Sequence, residues 1–82
     1  MPKTMPYSTQ PTETAITQAT GAGSTTNGAL AVTIVNRGSA AGTVDGVSLP
    51  AGEGWVFENN GPYSPISYDA TGTTFDIVEE TE

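Results

Sequence analysis

The 82-residue chain contains no cysteine and no histidine, and its only cations are Lys3 and Arg37, set against nine carboxylates. Without cysteine or histidine there are no disulfide staples, no thiolate or imidazole zinc sites, and none of the nucleophile and base pairs built on those side chains. The formal charge of −7 argues against binding a phosphate backbone, because that affinity comes from neutralising phosphates with Lys and Arg. Nucleic acid is therefore not an expected partner. No apolar run approaches the roughly 18 residues a membrane helix needs, and the N-terminus lacks the basic start and apolar stretch of a secretory signal. The expectation is a soluble product not exported by that route, with no membrane partner, no metal and no cofactor.

Leu, Ile, Val and Phe number 14 of 82 residues, below the fraction of about one fifth that, with high net charge, marks a disordered chain. Their distribution is uneven, since 13 of the 14 lie between Leu30 and Val78 and only Ile16 precedes them. The chain accordingly reads as an extended N-terminal arm and linker (residues 1–28), a small β domain (residues 29–79) and an acidic tail (residues 80–82). The first 28 residues hold three Pro and eight Thr. Pro2, Pro6 and Pro11 hold φ near −65° and remove amide donors, which predicts extended rather than helical backbone. From Glu13 to Thr20 β-branched residues alternate, with Thr14 and Ile16 on one side and Ala15 and Thr17 on the other, as in an edge or exchanged strand. Gly21 to Gly28 reads as linker or turn.

Beyond Gly28 a period of two dominates. Leu30, Val32 and Ile34 alternate with Ala31, Thr33 and Val35, the pattern of a half-buried strand. Asp45-Gly46 between Val44 and Val47 has the composition of a two-residue type I′ hairpin, which needs positive φ at both turn positions. Gly54 to Glu58 predicts a strand with Trp55 and Phe57 on one face, closed by Asn59-Asn60-Gly61-Pro62. Ile66 to Tyr68 and Thr73 to Val78 follow, the latter with Phe75 and Ile77 on one side, and Glu79 to Glu82 reads as solvated charge. Five or six short strands and no sustained helical period predict an all-β fold, a small antiparallel β-sandwich or barrel.

A core drawn from so few residues is marginal, and with disulfides and zinc excluded the remaining reinforcement is oligomerisation or docking on a larger assembly. Catalysis would have to rest on carboxylates alone, for instance Glu53 with Glu58 or Asp69 with Asp76, and so short a chain lacks walls for a cleft. The chain is read as a non-enzyme. Trp55, Phe57, Tyr68 and Phe75 alternate with other strand residues and are assigned to core or oligomer packing. Tyr63, between Pro62 and Ser64-Pro65, is the candidate exposed contact, and Met5, Tyr7 and Ile16 are the arm's candidate anchors on a partner. Arg37 is placed in the loop Asn36-Arg37-Gly38-Ser39, where it offsets the acidic surface or pairs across an interface.

The segments Asn36-Arg37-Gly38-Ser39-Ala40-Ala41-Gly42-Thr43-Val44-Asp45-Gly46-Val47-Ser48-Leu49-Pro50-Ala51-Gly52 and Tyr68-Asp69-Ala70-Thr71-Gly72-Thr73-Thr74-Phe75-Asp76-Ile77 resemble small β domains of tailed-bacteriophage head decoration, spike-base and fibre proteins. The shared pattern is a Gly-Thr-Val, turn, Leu-Pro-Ala-Gly element and a terminal Ala-Thr-Gly-Thr-Thr strand, over about half the chain. The resemblance implies a structural virion protein, a capsid decoration or spike-base subunit that sits on the outer head surface or joins a fibre to it, often as a homotrimer, with the major capsid protein or another virion protein as its partner. The alternative from a different class is a glycan- or protein-binding β module working through Tyr63, for example in a phage fibre. A third, an acidic mimic of nucleic acid, needs carboxylates aligned on one face, and here they are spread among turns and tail.

Overall fold

A computed structural model describes residues 13–82. They form a small all-β domain of eight strands: β1 (Glu13–Ala19), β2 (Ala22–Ser24), β3 (Ala31–Asn36), β4 (Gly42–Val44), β5 (Val47–Leu49), β6 (Gly54–Phe57), β7 (Ser67–Asp69) and β8 (Phe75–Thr81). Two four-stranded antiparallel sheets result, ordered β1-β8-β3-β6 and β2-β7-β4-β5. Only β4 and β5 are both consecutive and paired, and every other connection carries the chain from one sheet to the other.

Alternation decides what goes inside. Along β3, Val32, Ile34 and Asn36 are buried while Ala31, Thr33 and Val35 are half-exposed. On β8, Phe75 and Ile77 point the same way, and they meet Val44 and Leu49 from the second sheet together with Ala29, Ile66 and Ala70 from connections. Burying each of the larger of these side chains is worth about 1.5–3 kcal/mol. Phe75 sits at the centre, with the half-buried Tyr68 ring tilted over it at 6.3 Å between centroids. Gly42 is what admits Phe75: a Cβ there would collide with its ring and come within 2.7 Å of the Asp69 carbonyl.

The Asp45-Gly46 hairpin forms as its composition predicts. Val44 and Val47 are cross-strand partners, and the two turn residues take φ of 53° and 80°.

The division of the chain differs from the expectation at both ends. Of the expected arm, residues 1–12, with Met5 and Tyr7, lie outside the described residues. Glu13–Ala19 forms the edge strand its alternation suggests, β1, paired along its whole length to β8 within the same domain, and Ala22–Ser24, expected as linker or turn, forms β2, paired to β7. Their polar composition misleads because an edge strand needs main-chain partners, not a large apolar face. The Gly21–Gly28 stretch is further tied down at Thr25, whose amide donates to the Ile66 carbonyl at 3.0 Å and whose hydroxyl accepts from the Ile66 amide at 2.8 Å. The acidic end is likewise no free tail, since β8 continues through Glu80 and Thr81 between β1 and β3. Glu79 there accepts hydrogen bonds from the Thr26 amide and hydroxyl, both at 2.9 Å.

Candidate functional site

The carboxylate pairs raised as possible catalytic groups are not brought together. Glu53 and Glu58 flank the four residues of β6 at its two ends. Asp69 ends β7 in one sheet, and Asp76 lies on β8 in the other. Both aspartates already have partners. Asp69 is held below the ordinary carboxylate range by hydrogen bonds from Thr71, from its hydroxyl first and then its backbone amide, the latter at 2.9 Å. Asp76 accepts from Arg37 Nε at 3.0 Å and from Gln18 Nε2 at 3.2 Å. Arg37 is thus the intramolecular counter-ion of Asp76, and with its side chain 65% exposed the pair is screened and adds little stability. Among the described residues no three Asp or Glu side chains gather as a metal site.

The most connected polar group is structural. Asn36 is fully buried on the inward face of β3, and its amide uses every hydrogen-bonding position it has. Nδ2 donates to the carbonyls of Ala40 at 2.8 Å and Leu49 at 2.9 Å, while Oδ1 accepts from the Gly38 amide at 2.9 Å and the Thr73 hydroxyl at 2.7 Å. One side chain therefore ties together the β3–β4 loop, the end of β5 and the turn before β8. Asn36, expected at the start of a loop, is instead the last residue of β3. The signal that finds it is parity, since position 36 continues the inward series 32, 34.

The aromatic residues pack inward. Phe75 is fully buried, and Trp55, Phe57 and Tyr68 are half-buried against the core. Tyr63 is less free than its loop suggests. Its ring meets Phe57 edge-on at 6.0 Å, its hydroxyl accepts from the Asn60 amide at 3.2 Å, and its backbone bonds to Gly28 and Ala29.

Ile16 is different: the residue is 75% exposed, the highest value among the large apolar residues described. It sits at the middle of β1, an outer strand whose first six residues are exposed on both faces. Registers carry a row from it across the outer face of the sheet, through Val78 on β8 and Thr33 on β3 to Val56 on β6, which is 60% exposed. Tyr63, which packs on β6, belongs to the opposite edge, so the two candidate contacts do not form one surface. What this arrangement offers chemically is a strand edge and an apolar, β-branched stripe, means of association rather than of catalysis. Comparison with known protein families, with curated proteins and with solved structures finds no match to this chain.

Proposed function

We propose that the chain is a structural assembly subunit, a small β-sandwich that attaches to a larger particle, with the outer head surface of a tailed phage as the expected site and a capsid or other virion protein as the partner. The observation that carries this reading is where the chain enters the domain: β1 begins at Glu13 on the outside of a sheet, so the segment bearing Met5 and Tyr7 joins the domain at its edge. An anchor segment attached to a strand edge is a recurrent way for a small domain to add contact area without enlarging its core. A recognition module centred on Tyr63 is less well supported, because the ring and hydroxyl are already engaged by Phe57 and Asn60.

The test is cosedimentation with particles assembled without the chain. The full chain is expected to bind, a variant lacking residues 1–12 is expected to stay in the supernatant while keeping its β circular dichroism, and Tyr63→Ala is expected to bind normally. Binding retained by the truncated variant, or lost in Tyr63→Ala with its fold intact, would overturn the reading.

A further inference from the structure

Four strands border the two sheets, and they are not alike. β2 and β5 have three residues each and β6 has four, whereas β1 has seven in unbroken register with β8. Long, flat edges are the ones through which chains pair, and proteins protect them with lysine, proline, bulges or covering segments. β1 contains no lysine or proline and no bulge, and among the described residues nothing pairs with its outer side. Its single charge is Glu13, at one end of an otherwise neutral strand in a chain of net charge −7.

We propose that this edge binds a second copy of the same chain, β1 against β1 in antiparallel register about a twofold axis at Ile16. Ile16 is the midpoint of the strand, so this pairing uses all seven residues. It sets Ile16 against Ile16 of the second copy, Thr14 against Gln18, Ala15 against Thr17 and Glu13 against Ala19. No carboxylate then faces another across the joint, whereas like charges directly opposite would oppose pairing. The join makes one continuous eight-stranded sheet, and the outer stripe Val56, Thr33, Val78, Ile16 runs on into its own mirror sequence. Isologous contact of this kind closes at two copies. The chain's own first twelve residues are a poorer occupant of the edge, because Pro2, Pro6 and Pro11 interrupt them and a proline cannot donate to a ladder. This inference concerns the purified chain alone and stands or falls independently of attachment to a particle.

The experiment is sedimentation equilibrium of the full chain across micromolar to millimolar concentration, with single-cysteine variants to read the register. The expected result is a monomer–dimer equilibrium that tightens with added salt as the net charge is screened. Ile16→Lys should weaken it by at least about tenfold with unchanged circular dichroism. Because the chain has no cysteine, Ile16→Cys should give a disulfide-linked dimer on mild oxidation. Thr14→Cys should link when mixed with Gln18→Cys and not with itself. A monomer throughout, a trimer, or a dimer indifferent to Ile16→Lys would overturn the proposal. If the full chain is monomeric and removal of residues 1–12 produces dimers, the occupant of the edge is the chain's own N-terminal segment.

Discussion

Asn36 and Phe75 show two different ways in which one side chain holds this domain. Phe75 contributes apolar area at the meeting of the two sheets, so Phe75→Ala should cost roughly 3–5 kcal/mol through lost burial and the cavity left behind, read as a fall in the urea midpoint. Asn36 contributes little transfer energy, but it satisfies two carbonyls, an amide and a hydroxyl at once. Asn36→Ala should therefore cost roughly 3 kcal/mol or more, since each buried group left unpaired costs about 1–3 kcal/mol. Asn36→Asp should also destabilise, because a carboxylate cannot donate to Ala40 and Leu49. Asp69 provides the acid-side test. Its depressed pKa means that the folded state binds the proton less readily than the unfolded state. The stability it contributes is present above the ordinary carboxylate range and is lost as pH falls through the lowered value. The stability difference between wild type and Asp69→Asn should be constant near neutrality and shrink on acidification, measured by urea unfolding at each pH.

At the level of elements, the β4–β5 hairpin is the one piece whose partner lies next to it in the chain. Its turn requires left-handed backbone at Asp45 and Gly46, so Gly46→Val should destabilise by about 1–2 kcal/mol, whereas Val47→Thr on the exposed side should fall within about 0.5 kcal/mol. β1 and β2 show the opposite case. Glu13 to Thr20 was legible as an edge strand from its alternation, whereas β2 lies in the Gly21–Gly28 stretch that reads as linker or turn, and nothing local tells either strand where its partner lies. Their partners, β8 and β7, lie near the other end of the chain. Glu79 and Glu80 misled for the same reason: a run of carboxylates reads as solvated until a strand on each side and Thr26 take up the backbone and one side chain.

For the whole molecule, the pairing of the first described strand with the last makes the fold sensitive to where it is cut. Removal of residues 1–12 should leave the thermal transition nearly unchanged. Removal of residues 1–28 should abolish it, because it strips β8 and β7 of a neighbour each and takes away Thr25 and Thr26. Contacts this distant in sequence also predict folding in milliseconds to seconds, as loop closure must precede pairing; stopped-flow refolding by tryptophan fluorescence at Trp55 would report it.

Composition and period alone determined the all-β class, the inward series Val32, Ile34 and Phe75, Ile77, and the Asp45-Gly46 turn, because alternation and turn chemistry are local properties of the backbone. They also determined the polarity of the surface and the lack of imidazole and thiol chemistry. Tertiary structure decided that residues 13–24 belong to the domain, that Asn36 is a buried hub, that Asp76 answers Arg37, and that Ile16 lies midway along an exposed edge in line with Val56. Each of these depends on which distant strand becomes a neighbour, and that choice follows from the summed burial and hydrogen bonding of both sheets, to which no single segment carries the key.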